Sequence, residues 1–222
     1  MSRSRKVLLL GSGGHAKNLL DCLELLGFSI EGIASPSLKH LKAWRGYPAF
    51  PNDNAIERFR PDEIFLVNGI GFMPKATLAR AQLFERWREK GYRFLTLAHP
   101  SAVIAKSCRL EPGCQVMAGA IIQSDTTIGA NTIINTRAVV EHDCVLGANN
   151  HLASGAVLCG GVKTKDQVFI GAASVVKQNI KLGRQVTIGA GSTVLHNVSD
   201  GETVTGKTTK TAKKSNKKVI AP

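Results

Sequence analysis

The sequence lacks any apolar run near the roughly 18 residues a membrane span needs, and its opening, "MSRSRKVLLLG", holds only a four-residue apolar stretch before a glycine. Neither a membrane partner nor a secretory signal is expected, so the reading is a cytoplasmic protein. CxxC spacing is also missing. The five cysteines, Cys22, Cys108, Cys114, Cys144 and Cys159, are odd in number, which excludes a zinc knuckle and a complete disulfide framework and leaves buried thiols. Acids are scarce, 16 against 29 lysines and arginines, for a net charge of +13. Six of those lysines fall in the last sixteen residues, which contain no acid and no aromatic; removing them leaves 13 − 6 = +7 over the body. Such a tail, 207–222, reads as a disordered appendage, and nucleic acid is not an expected partner.

What is present divides into two textures. From residue 6 to about 98, apolar runs such as "KVLLLG", "FSIEGIAS" and "DEIFLVNG" alternate with helix-like segments such as "HAKNLLDCLELLG", with Gly27 and Gly91 where helices should stop. From "HPSAVIA" onward the rhythm changes. Every sixth position from Ile104 to Val194 is Ile, Leu or Val, with Thr164 the one exception. Two residues before each, through Ala156, stands a small or compact residue, which places Cys108, Cys114 and Cys144. A period of six over some ninety residues predicts a hexapeptide β-helix, three hexads to a coil and five coils in all, stacked about 4.8 Å apart. At Thr164, within "VKTKDQ", the coil should be looser or locally distorted.

Against that register, "NTRAVVEHDCVLGANNH" (135–151) has Val140 and Leu152 facing inward. His142 and His151 hold neither inward position and should project from the surface or toward a neighbouring chain. His142 has an acid on each side, and a nearby carboxylate fixes an imidazole's tautomer and raises its basicity. Near the amino terminus, "LLLGSGGHAKNLLD" predicts a strand, a turn of Gly11, Gly13 and Gly14, and a helix starting near His15, an arrangement that brings a pyrophosphate to helix-terminal N–H groups. The second strand ends in "GIASPS" with no acid after Glu31, so the ribose anchor of an NAD enzyme is missing.

The stretch "NTRAVVEHDCVLGANNHLASGAVLCGGV", with "GSGGHAK" at the start and "HPSA" at the junction, resembles the sialic acid O-acetyltransferase and nucleotide-aminosugar N-acetyltransferase family of hexapeptide-repeat enzymes. "LVNGIG" and "AQLFERWREKGYRF" are most similar to its perosamine N-acetyltransferase branch. The resemblance implies an α/β Rossmann-like nucleotide-sugar-binding domain over 1–98 and a left-handed parallel β-helix acyltransferase domain over 99–206. It also implies a homotrimer with active sites between subunits, acetyl-CoA as donor and no metal.

Carried over by the resemblance, His142 is the catalytic base and Asp143 the acid that increases its basicity. His151 contacts acetyl-CoA; Gly160, Ala172 and Ala190 meet it through backbone groups; Asn135 faces the acceptor sugar. Gly11, Gly13, Gly14 and His15 bind the nucleotide sugar. The implied reaction is direct transfer to the amine of a nucleotide-linked 4-amino-4,6-dideoxyhexose in surface-polysaccharide synthesis, with a base near neutral pKa and backbone N–H groups for the oxyanion. Two features depart from the family pattern. The acids that read the base and ribose in UDP-sugar relatives are absent, and "VTGKTTKTAKKSNKK" replaces the usual "GVPA"-type turn near the CoA chain. Other readings are O-acetylation of a sialic or related sugar, a γ-carbonic-anhydrase-like zinc hydratase using His142, His151 and His196, and a non-catalytic scaffold that binds nucleic acid through its tail.

Overall fold

In the computed structural model, which describes residues 6–71 and 78–206, a parallel sheet with helices leads into a three-faced β-helix. The first strand, β1 (Lys6–Leu10), is followed by α1 (Gly14–Leu25), β2 (Ser29–Ala34), the short β3 (Ala43–Trp44), β4 (Tyr47–Phe50), β5 (Phe65–Asn68), α2 (Leu78–Glu89) and β6 (Arg93–Phe94). Their order across the sheet is β3-β4-β2-β1-β5-β6, all parallel except β3 against β4. Val7 to Leu10 are fully buried, because β1 is central and covered on both faces, which is why it reads as an unbroken aliphatic run. Both expected helix stops are present. Gly27 (φ +69°) and Gly91 (φ +85°) take left-handed conformations, and the N–H groups of Phe28 and Tyr92 bond back to Leu23 and Trp87 carbonyls at 3.1 and 3.0 Å, the pattern of a glycine-closed helix end.

The β-helix begins at Leu97–Ala98, which pairs with Gln115–Val116, and climbs by eighteen residues per coil. Its first face carries the rungs Gln115–Val116, Ile133–Ile134, His151–Leu152, Phe169–Ile170 and Thr187–Ile188. The second carries Val103–Ile104, Ile121–Ile122, Val139–Val140, Val157–Leu158, Val175–Val176 and Thr193–Val194. The third carries Arg109–Leu110, Thr127–Ile128, Val145–Leu146, Lys163–Thr164 and Lys181–Leu182. From Val116 to Val194 every residue of the sixfold series is no more than 7 % exposed. Each Ile, Leu or Val among them contributes about 1.5–3 kcal/mol by leaving water.

Each two-residue rung is closed by a corner whose left-handed residue recurs with the same period. Fourteen consecutive sixth positions, from Gly113 to Gly191, have φ between +54° and +76°. Five are glycine and five are Asp or Asn, the residues that tolerate this conformation. Arg137, Gln167, Ala173 and Gln185 hold it without that advantage, because the stacked corners above and below impose it.

The expected distortion at Thr164 is absent. Its rung keeps full register with Val145–Leu146 below and Lys181–Leu182 above. Thr164 is 7 % exposed and its hydroxyl is satisfied: Asn150 Nδ2 donates to it at 2.5 Å, while Asn150 Oδ1 accepts from Val168 N–H at 2.7 Å. A polar residue in the core is tolerated when its partner is buried with it, and Asn150, at a position read only as compact, is that partner.

Candidate active site

The corner between the second and third faces carries Glu141, His142 and Asp143. Asp143 is the left-handed residue there (φ +59°), a conformation that its short polar side chain accepts. The corner backbone is held from both sides: Asp143 N–H donates to Ser124 O at 3.1 Å, and His142 O accepts from Gly161 N–H at 2.9 Å. His142 Nδ1 lies 2.7 Å from Asp143 Oδ2. An ionised carboxylate can only accept, so Nδ1 carries the hydrogen and Nε2 keeps its lone pair. The ring is about two-thirds exposed, and the Asp143 hydrogen bond raises its pKa above the ordinary histidine value. Partial burial opposes that shift, while the charges of Asp143 and Glu141 add to it. The site therefore offers a solvent-facing base of increased strength on a rigid corner.

Gly160 is one coil further along the same column. A Cβ built there would stand 2.7 Å from both Cε1 and Nε2 of His142, so the imidazole rests in the space left by the missing side chain. The sequence reading assigned Gly160 a backbone contact with the donor and missed this seat for the ring; the only available signal was that 142 and 160 differ by one coil.

His151 departs from expectation. Its side chain faces outward from the first face but is only 8 % exposed, packed edge-on to Phe169 at 5.4 Å with Asn135 Nδ2 3.4 Å from its Nε2. A six-residue period shows that the position points outward, not that Phe169, one coil above, and Asn135 pack against the ring there; the N-terminal sheet docks on the same face lower down, at Gln115. Ala172 and Ala190 are exposed, one coil apart, at the corner between the first and second faces, with Gly191 N–H donating to Ala172 O at 2.8 Å. Asn135 lies at the same corner further down, its Oδ1 accepting from Thr136 N–H at 2.8 Å. Within one chain the structure thus brings Asn135 to His151 and aligns Ala172 with Ala190, but leaves His142 and Gly160 across the whole width of the second face.

The amino-terminal turn lies where the strand order reverses, between β1 and β5, the place at which open parallel sheets form a crevice. Gly11 (φ +105°) packs against Gly69: a Cβ on Gly11 would reach the Gly69 carbonyl carbon at 3.1 Å. Gly13 caps α1 in an extended conformation (φ −75°), and among the described residues neither Gly13 nor Gly14 has anything within 4 Å of an added Cβ. Among the described residues no side chain caps α1, and no acid lies in its first turn, an arrangement that suits its N–H groups to an anion. Where a ribose-binding acid would stand, the hydroxyls of Ser12, Ser35 and Ser37 form a triangle of 3.0, 2.6 and 3.0 Å. The sequence reading noted only the missing acid there. His15 is half-buried and its Nε2 bonds to Gln115 Oε1 of the β-helix at 2.7 Å; burial, helped by the charge of Arg80, lowers its pKa to about 4.

His142, His151 and His196 do not converge. His151 belongs to another face, and His196 stands three coils above His142 in the same column, roughly 14 Å away at the rung spacing. Among the described residues no group of three His, Cys, Asp or Glu side chains could hold a metal ion, and no helix is long and apolar enough to cross a membrane. The lysine-rich segment 207–222 lies outside the described residues.

Residues 125–160 match the family model "Bacterial transferase hexapeptide (six repeats)". No curated protein matches the sequence. Among solved structures, a histidine-to-asparagine mutant of perosamine N-acetyltransferase from Caulobacter crescentus, in complex with CoA and GDP-perosamine, is 33 % identical. It aligns over 90 % of this chain and 93 % of its own with a TM-score of 0.83. The acetyltransferase domain of PglB from Neisseria gonorrhoeae, in complex with acetyl coenzyme A, is 28 % identical over 91 % of this chain and 97 % of its own, with a TM-score of 0.85. WeeI from Acinetobacter baumannii shares the fold at 21 % identity and a TM-score of 0.81, over 91 % of this chain and 97 % of its own.

Proposed function

The chain belongs to the hexapeptide-repeat family of sugar acetyltransferases, and from that premise we propose that it transfers the acetyl group of acetyl-CoA to the amine of a nucleotide-linked 4-amino-4,6-dideoxyhexose, for surface-polysaccharide synthesis. The observation that carries the reading is the His142–Asp143 pair at 2.7 Å, with the Nε2 lone pair directed away from the carboxylate over Gly160. As the amine nitrogen attacks the thioester carbonyl, His142 Nε2 takes its proton; as the carbon–sulfur bond breaks, that proton is available to the departing thiolate. Asp143 holds the tautomer and stabilises the imidazolium between the two events. No covalent enzyme intermediate is needed, in keeping with Cys144 being buried with its thiol pKa pushed up to about 11 by desolvation.

The reading includes a homotrimer. The outward residues of the second face are Val103, Ile121, Val139, Val157 and Val175, an apolar column that ends at Thr193, with Val103 63 % and Val175 37 % exposed. Such a column on a soluble protein favours burial against another copy. If three copies turn this face toward a threefold axis, the His142 corner of one meets the Asn135, Ala172 and Ala190 corner of the next. The two halves that one chain keeps apart then form one site. The glycine turn supports nucleotide binding in the N-terminal domain through the open start of α1, with Ser12, Ser35 and Ser37 as neutral hydroxyls beside it.

The test is thiol release from acetyl-CoA with GDP-, UDP- and dTDP-linked 4-amino sugars and with free sialic acid. Turnover of a nucleotide aminosugar is expected. Turnover of sialic acid alone would replace the amine acceptor with a hydroxyl, and no thiol release with any of them would overturn the reading.

A further inference from the structure

The left-handed corners of the β-helix do not by themselves demand glycine, since Arg137, Gln167, Ala173 and Gln185 hold the same conformation with side chains. At the corner between the third and first faces, residues of this series one coil apart bond side chain to side chain. Asn131 Nδ2 donates to Asn149 Oδ1 at 2.7 Å, and Gln185 Nε2 donates to Gln167 Oε1 below it at 2.7 Å. The His142 corner carries Asp125, Asp143, Gly161 and Asn179 in the same series. There the ladder is broken on both sides of Asp143. Asp125, one coil below, is a carboxylate that can only accept, and Gly161, one coil above, has no side chain to donate. A Cβ on Gly161 would collide with Asn179 Oδ1, but Asn179 is exposed and its amide is the free end of a side chain, so that contact does not demand glycine either.

We propose that Gly161 is a positioning residue for acetyl transfer: by withholding a side chain, it leaves the Asp143 carboxylate undivided for His142 Nδ1. Resting on the reading of His142 as the base, this gives two neighbouring glycines separate tasks. Gly160 makes room for the imidazole, and Gly161 keeps a competing donor away from the acid that orients it. An Asn at 161 suits the backbone there (φ +69°), and its amide would stand over Asp143 as Gln185 stands over Gln167. A donor that shares the carboxylate draws charge from the imidazole's partner and makes His142 a weaker base. The other charges around the ring stay in place: Glu141 beside it, Asp125 one coil below Asp143, and Lys177 two coils above Glu141.

The experiment is an NMR titration of the histidine C2 protons on the full chain without ligands, the His142 signal being assigned by its loss in His142→Ala, alongside the pH dependence of kcat/KM. Gly161→Asn should lower the His142 pKa by roughly half a pH unit, the scale of one net hydrogen bond, and move the acidic limb of kcat/KM down with it. Gly161→Ala brings the same Cβ without a donor and should leave both where they are; Ala173 shows that alanine fits such a corner. Each variant is also made with Asn179→Gly, which removes the collision and suits the φ of +60° there, so that a folded pair is compared. An unchanged His142 titration in Gly161→Asn, or an equal shift in the Asn and Ala variants, would overturn the proposal. A lowered titration with an unmoved kcat/KM limb would support the part of Gly161 in the pair and overturn His142 as the base.

Discussion

The imidazole of His142 occupies the space above the α-carbon of Gly160, with 2.7 Å between its Nε2 and the nearest point a Cβ on that glycine would reach. Gly160→Val should therefore push the ring off its seat. Because the ring is solvent-exposed and free to swing outward, Tm should change by only a few degrees while kcat falls roughly tenfold or more. Thermal unfolding and steady-state kinetics on the same preparation check it; a variant with normal kcat would mean that the seat has no role in turnover.

Removing the base and removing its partner should be separable. His142→Ala should lower kcat by about 10² or more, the usual scale for losing acid–base catalysis. Asp143→Asn should cost less and leave a histidine whose pKa is no longer raised by the carboxylate. A base works unprotonated, so a lower pKa moves the acidic limb of kcat/KM to lower pH, and a pH–rate profile reads the shift directly.

Gly13→Val should weaken nucleotide-sugar binding without unfolding the chain. The position has ordinary φ and open space around it, so a side chain fits the protein but obstructs a ligand's approach to the α1 N–H groups. KM for the nucleotide sugar should rise at least tenfold while KM for acetyl-CoA stays within about twofold.

Val157→Asp places a charge in the apolar column of the second face without touching the β-helix interior. Sedimentation should then show monomers, and acetyl transfer should be lost with the circular-dichroism spectrum unchanged. A monomeric variant with full activity would show that one chain completes the site.

Acid should destabilise the junction of sheet and β-helix. The folded-state pKa of His15, about 4, lies below its ordinary value of 6.5, so the unfolded chain binds the proton more readily. The stabilisation is fully present above pH 6.5 and is lost as pH falls toward 4, by on the order of 3 kcal/mol. Tm measured from pH 7.5 to 4.5 should fall, and the fall should be shallower in His15→Phe.

The β-helix was readable because its signal is periodic: one aliphatic residue in six, repeated, leaves little freedom in where Val140, Leu158 or Ile170 can point. The same register put His142 outside the core, with an acid on each side; that Asp143 rather than Glu141 is its partner came from the family resemblance, and the hydrogen bond is with Asp143. What periodicity cannot show is contact between unlike parts. Arg80, Gln115 and Asn68 each sit in ordinary surroundings in the sequence, and their shared burial arises only when α2 and β5 dock on the first face. His151 was expected outside because the register gives the direction of a side chain and not its neighbours, here Phe169 one coil above. Thr164 was misjudged for a related reason: a single hexad shows the missing aliphatic, whereas its partner Asn150 is fourteen residues away on the coil below.

The eighteen-residue coil makes the carboxyl-terminal half of the protein behave like a reading frame. One residue inserted between His142 and Gly160 would move every later side chain one place round its hexad, turning aliphatics outward, carrying a charged residue into the interior and putting Cys159 rather than Gly160 under the imidazole. An insertion of eighteen residues further up, beyond Gly191, would leave the base, its seat and the three faces below unchanged and only lengthen the stack. Length variation that preserves function should therefore come in whole coils, eighteen residues at a time.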